Sequence, residues 1–411
     1  MNTPTSHNRS SRTTAAASAS HSFRKAVFAL GVGGFSIGTG EFVIMGLLPD
    51  AAADLGVSIP TAGHLISAYA IGVVIGAPVL AVLCARVPRR TLLMLLMLIY
   101  ALGNVVSAIA PAYGSMMLMR FFSGLPHGTY FGVAALVAAH LAPPGKRAQA
   151  VGLVMLGLTT ATLAGVPIAA GLGQWLGWRA AFVLVGLIAL VAVGLVRLWI
   201  PNLRASEGAS PWRELSALKR KQVWLTLGIA GIGFGGMFSV FSYVKPTLMN
   251  LAGLPQAGVP IVLALFGLGM VAGNLLGSRL ADRALMPTIG GLLVWSGAVL
   301  AVFCFTAHNI WLGSFNILLV GTAVALGPAL QIRLMDVAGE AQTLAAALNH
   351  SAFNLANALG AWLGGITISM GLGWESTGWV GMLLALGGLL IFFWACVDMR
   401  RDAQRALAIR V

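Results

Sequence analysis

The chain has 411 residues, of which 58% are hydrophobic and only 9% charged. Soluble domains carry roughly a quarter charged residues, so a water-facing surface cannot be built from this composition and lipid must cover most of it. The formal net charge is +14, but the Lys and Arg punctuate apolar runs; that is the pattern of membrane topology signals, not of a nucleic-acid-binding surface.

In chain order, residues 1–24 come first. They are rich in Ser, Thr and Ala, hold Arg9, Arg12 and Arg24, and contain no acid. Without an apolar core this is not a secretory signal. The segment reads as a disordered cytoplasmic tail, with a transit peptide as the alternative. An apolar run of about 20 residues spans a bilayer as a helix. Twelve such runs follow: 25–49, 60–84, 90–110, 116–142, 148–172, 179–199, 222–246, 258–280, 287–307, 311–334, 342–368 and 378–397. The polar stretch 200–221 divides them into two bundles of six, 25–199 and 222–397, and residues 398–411 form a C-terminal tail. If both termini share a side, all but Arg120, Arg179 and Lys245 of the 25 Lys and Arg fall on that side. The positive-inside rule makes it cytoplasmic. Cys84, Cys304 and Cys396 lie in or beside apolar runs and read as free thiols. Trp175, Trp178, Trp374 and Trp379 sit near the opposite edges and read as an interfacial belt.

The two halves repeat. At an offset of 197 residues, Pro49 aligns with Pro246, Gly56 with Gly253, Gly72 with Gly269, Gly76 with Gly273, Leu83 with Leu280 and Arg86 with Arg283. A duplicated six-span unit implies two parallel repeats about an axis normal to the membrane.

Several motifs then point the same way. LAVLCARVPRR follows the second span and GSRLADRAL the eighth; both resemble the G-x-L-a-D-R-x-G-R-R loop of the major facilitator superfamily. Ala81 and Ala85 stand where the family has Gly and Asp, while the second copy keeps Asp282 and Arg283 with Ser278 in the Gly slot. MRFFSGLPHGTYFGVAAL resembles the R-x-x-x-G element of the fourth span, and ATLAGVPIAAGLGQWLGWR the antiporter element of the fifth, with Val166 inserted between Gly165 and Pro167. The whole chain is most similar to the twelve-span drug:proton antiporter family and its AraJ-like, sugar-efflux branch. The resemblance implies an all-α membrane protein, two pseudo-symmetric six-helix bundles, and secondary transport by alternating access. It also implies no cofactor beyond the proton gradient, a small-molecule substrate, and a monomer in the inner membrane.

Within that fold the first and fourth spans of each half line a central cavity. Glu41 is the only acid deep in a span. Helical rise places it between Arg120 and His127 in depth, and Arg120 and His127, seven residues apart, share a face. Intramembrane ionisable groups mark function by default, so Glu41 reads as proton carrier, His127 as a partner in sharing the proton and Arg120 as a modulator. The alternative is that Glu41 and Arg120 simply neutralise each other. In the eleventh span Asn349 flanks His350, Asn354 and Asn357, which share a face and read either as a solute-binding wall or as an interhelical network. Thr39, Tyr69, Tyr130, Phe238, Ser242 and Tyr243 are further cavity candidates. Arg86, Arg89, Arg90, Asp282 and Arg283 are candidates for conformational control, and Gly165 and Pro167 for a bend.

Other classes find no support. There is no phosphate-binding loop G-x-x-x-x-G-K-[ST], no H-E-x-x-H, no metal-ligand spacing around His64, His140 or His308, and no selectivity filter. Export against inward proton flow is the expected function. Proton-coupled uptake, or a non-transporting receptor on the same fold, are the alternatives.

Overall fold

The computed structural model describes residues 7–203 and 210–408. The described residues are all helical or irregular, with no strand. The long helices are α1 (His7–Gly46), α2 (Ile59–Leu83), α3 (Arg89–Ala108), α4 (Tyr113–Leu141), α5 (Arg147–Leu176) and α6 (Arg179–Trp199) in the first half. The second half holds α7 (Lys221–Phe241), α8 (Val259–Arg283), α9 (Leu285–Thr306), α10 (Ile310–Val337), α11 (Gln342–Ser369) and α12 (Ser376–Ala408). Ten of these contain a run long and apolar enough to cross a membrane. The other two, α4 and α11, are 29 and 28 residues long; they are the helices that carry Arg120, His127, His350 and Asn354. Outward faces expose Leu102, Leu198, Phe305 and Leu390, the ordinary state of a lipid-facing surface.

Two expectations change. α1 starts at His7, so most of the stretch expected to be a disordered tail is helical. The cause is local: no Pro or Gly occurs between Pro4 and Gly31, and Ala occupies 15–17 and 19. Residues 1–6 lie outside the described residues, as do 204–209 of the linker and 409–411. Trp178 is buried, and its indole N–H donates to Asp54 at 3.2 Å; with Arg179, which also binds Asp54 and donates to the Ala110 carbonyl, it ties loops of the first half together.

The repeat seen in sequence is a repeat of contacts. A Cβ on Gly72 or Gly76 of α2 would collide with the Phe121 or Leu125 carbonyl of α4. One on Gly269 or Gly273 of α8 would collide with the Leu318 or Thr322 carbonyl of α10, the positions 197 residues further on. Gly56 and Gly253 both turn the chain with positive φ, 67° and 70°, a conformation open to glycine at no steric cost.

Between the halves, contact is concentrated toward the face where α1 starts and α12 ends, termed here the terminal face. A Cβ on Gly132 of α4 would lie 2.7 Å from the Ala347 nitrogen of α11, and one on Gly152 of α5 would lie 2.6 Å from Ser278 Cβ of α8. Asn274 Nδ2 donates to the Gly152 carbonyl at 2.7 Å. Both carboxylate oxygens of Asp282, at the end of α8, accept from the first turn of α5, from Ala148 N at 2.7 Å and Gln149 N at 2.9 Å. Arg147 and Asp336 pair across the halves at 3.0 Å.

Candidate functional site

Toward the other face the bundles part around a cavity of about 570 Å³. Its wall runs from Gly46, Ala170 and Pro260, near the ends of α1, α5 and α8, down to Met155 and Asn274. The cavity therefore faces away from the terminal face, which the contacts above close.

Glu41 and His127 both line it. Their closest approach is 4.0 Å, Nδ1 to Oε2. Tyr69 holds the same imidazole nitrogen at 3.0 Å through its hydroxyl. Arg120 is fully buried behind them. It donates to the carbonyls of Gly40 at 2.8 Å, Glu41 at 3.4 Å and Leu65 at 3.4 Å, and its guanidinium lies 4.5 Å from the centre of the Tyr69 ring. Arg120 thus spends its donors on the backbone of α1 and α2. The nearest ionisable partner of the Glu41 carboxylate is His127, while Arg120 bonds the backbone beside it and acts on the carboxylate only as a nearby charge.

Across the cavity, α11 supplies His350, Asn354 and Asn357 to the wall. His350 stacks on Phe131 of the first half with centroids 4.4 Å apart, and its ring lies 5.3 Å from His127. Its Nε2 is buried without a protein partner, and so is Asn274 Oδ1. Two unpaired polar atoms on a predominantly apolar wall are hydrogen-bonding points for a solute.

Most of the remaining sequence candidates serve packing. Thr39 bonds back to the Phe35 carbonyl and its hydroxyl lies where a Cβ on Gly165 would fall. Tyr130 donates to the Leu30 carbonyl at 2.8 Å, stapling α4 to α1. Tyr243 donates to the Ala361 carbonyl at 2.8 Å, and Asn349 Nδ2 to Gln331 Oε1 at 2.6 Å. Along with Ser242 and Tyr69, none of these lines the cavity; polar groups in lipid are first drawn to nearby backbone acceptors. Phe238 does line it, and so does Pro167, which follows a π-helical turn at Ala161–Gly165. Arg86 and Arg283 are exposed. Arg90 donates to the Ile200 carbonyl at 3.5 Å, and Arg89 N to the Leu203 carbonyl at 3.1 Å.

Sequence reasoning missed the aromatic lining. Phe42, Phe131, Phe234, Phe241, Phe266 and Phe353 face the cavity beside Phe238. Phe42 and Phe353 lie next to motifs already singled out, but a phenylalanine in lipid carries no sign of which way it points.

A family model described as Major Facilitator Superfamily matches residues 30–298. The inner membrane transport protein YdhP of Escherichia coli K12 is 41% identical over 89% of this chain and 95% of its own length. The putative transporter AraJ of the same strain is 33% identical (90% and 95%), and a chloramphenicol resistance protein of Streptomyces lividans 33% identical (89% and 95%). Among solved structures, the proton:xylose symporter XylE bound to 6-bromo-6-deoxy-D-glucose superposes with a TM-score of 0.71 at 16% identity, covering 91% of this chain and 96% of that one. With two bundles related by a 197-residue repeat and a central cavity between them, this multi-pass membrane protein belongs to the major facilitator superfamily, whose members are transporters and not enzymes.

Proposed function

We propose that the chain exports a small amphipathic solute in exchange for protons, with both termini in the cytoplasm of a bacterial cell and Glu41 as the proton carrier. The observation that carries this reading is the Glu41 carboxylate on the cavity wall, 4.0 Å from His127 and not claimed by Arg120. A group that faces the solute route and has a titratable neighbour can take a proton in one state and release it in the other.

The lining argues for the class of solute. A cavity of about 570 Å³ fits a small molecule. Seven phenyl rings form much of its wall, with His350 Nε2 and Asn274 Oδ1 as unpaired polar points. A sugar would leave most of its hydroxyls unpaired against such a wall, at a cost of about 1–3 kcal/mol for each buried one. An aromatic or aliphatic body with two or three hydrogen-bonding groups would not. The name of the Streptomyces lividans relative makes chloramphenicol the first probe.

The test is proton movement in energised everted vesicles, followed with a pH-sensitive dye, in wild type and Glu41→Gln. Chloramphenicol should release lumenal protons in wild type only. An equal response in both variants would return Glu41 to a structural role. Proton-coupled accumulation in right-side-out vesicles would assign uptake instead.

A further inference from the structure

The contacts that close the terminal face are asymmetric, and the linker makes up the difference. In one copy of the repeat, Asp282 at the end of α8 crosses to the first turn of α5 and accepts from Ala148 N and Gln149 N. The repeat calls for a matching contact from position 85, at the end of α2, to the first turn of α11. Position 85 is alanine and has no side-chain acceptor to offer. The first turn of α11 is nevertheless capped: Leu344 N donates to Glu214 Oε2 at 2.8 Å. Gln149 is the third residue of α5 and Leu344 the third of α11. The two carboxylates therefore each cap the first turn of one of two equivalent helices.

Glu214 comes from the linker, on the short helix Pro211–Leu215, and is only 6% exposed. Its surroundings belong to both halves. Linker residues Leu215, Ala217 and Leu218 share one apolar cluster with Ala77 and Ala81 of α2 and with Leu334 and Leu344 of α10 and α11. Arg213 pairs with Glu340 at 3.0 Å just before α11, and Arg89 at the start of α3 acts on Glu214 as a nearby cation. Burial pushes the Glu214 carboxyl up, and hydrogen bonds from Leu344 N and Thr343 pull it back. The first four N–H groups of a helix lack intrahelical partners and carry partial positive charge, so a carboxylate placed there binds firmly and directionally.

We propose that Glu214 is a positioning residue for transport: through it the linker supplies the second of two carboxylate latches that close the terminal face, replacing the acid absent at position 85. Opening that face then requires the linker helix to leave α11 as Asp282 leaves α5. The linker is a working part of the gate and not a passive tether. The inference depends on alternating access and is independent of proton coupling and of the direction of transport.

Hydrogen–deuterium exchange of the full chain in lipid nanodiscs tests it, with wild type, Glu214→Ala and Glu214→Ala/Ala85→Asp. Losing one charged cap should shift the balance between the two faces by roughly tenfold. Glu214→Ala is expected to speed exchange at 147–150 and 342–346 on the terminal face. It should also slow exchange at 47–58 and 252–258 on the other face, where the halves would close. Simple loss of a structural contact gives no such slowing. Ala85→Asp should restore both regions toward wild type. Faster exchange confined to the linker and α11, or no restoration by Ala85→Asp, would overturn the proposal. If Glu214→Ala fails to fold, Glu214→Gln keeps an acceptor and loses the charge. It should show the same paired change at smaller amplitude, and faster exchange without slowing on the far face would again overturn the latch.

Discussion

At one level of the membrane the two halves share a frame and differ in chemistry. Glu41, Tyr69, Arg120 and His127 of the first half correspond, 197 residues on, to Phe238, Phe266, Ile317 and Val324. The first set is a polar group beside one carboxylate: Tyr69 bonds His127, Arg120 bonds the backbone of α1, and His127 lies 4.0 Å from the Glu41 carboxylate. The second is wholly apolar, and Phe266 stacks on Phe241 with centroids 4.0 Å apart. The frame beneath is the same: glycines of α2 meet carbonyls of α4 where glycines of α8 meet carbonyls of α10. Duplication thus preserved the packing that sets helix positions while side chains facing the cavity diverged. At these matched positions the ionisable side chains sit in the first half and apolar ones in the second, so moving the halves changes the surroundings of a single carboxylate.

The comparison can be broken at several points. The largest effect is expected at Glu41. Glu41→Gln should abolish proton-coupled flux, whereas Phe238→Leu at the matching position should keep it and change apparent solute affinity; vesicle flux across a solute series separates the two. Next is Arg120, whose three nitrogens each donate to a backbone carbonyl. Arg120→Met should cost at least about 2 kcal/mol, because hydrogen bonds to a buried charge are lost. Ile317→Val at the matching position should cost about 1 kcal/mol; thermal unfolding in detergent reads both. Gly76→Ala and Gly273→Ala probe the frame itself. Each places a methyl against a carbonyl of the next helix, so each should cost about 1–3 kcal/mol from overpacking. Clearly unequal losses would show that the halves do not share their packing.

The smallest effect concerns Asp54, which has no acidic counterpart, since Leu251 occupies the matching position. The hydrogen bond from Arg179 holds the Asp54 carboxyl below its ordinary value. A depressed carboxyl contributes stability that is present above the unfolded-state value, about 4, and is lost as pH falls through the folded-state value. The stability difference between wild type and Asp54→Asn should therefore shrink below about pH 4, and unfolding at a series of pH values checks it.

Legibility followed rarity. Glu41, Arg120 and His127 stood out because ionisable groups in lipid are uncommon, and they do converge. The glycine repeat stood out because helix crossings tolerate few residue types. Thr39, Tyr130, Tyr243 and Asn349 misled as cavity candidates: a hydroxyl or amide in a membrane helix has a backbone or side-chain acceptor close by, and the same residue type serves packing and binding alike. Glu214 drew no notice, since a lone acid in a polar linker reads as solvated until α11 is placed beside it.

Composition and periodicity by themselves determined that this is a lipid-embedded chain of duplicated helical bundles, because hydrocarbon permits few backbone solutions and apolar length counts the crossings. They also marked a rare buried carboxylate as the centre of interest. Only the tertiary structure decided which face is closed, that Arg120 serves the backbone in preference to Glu41, which phenyl rings form the cavity, and that a linker acid occupies a helix end left empty by the repeat. Those outcomes depend on rotamers and on contacts between distant segments, where one residue type has several partners within reach and packing alone selects among them.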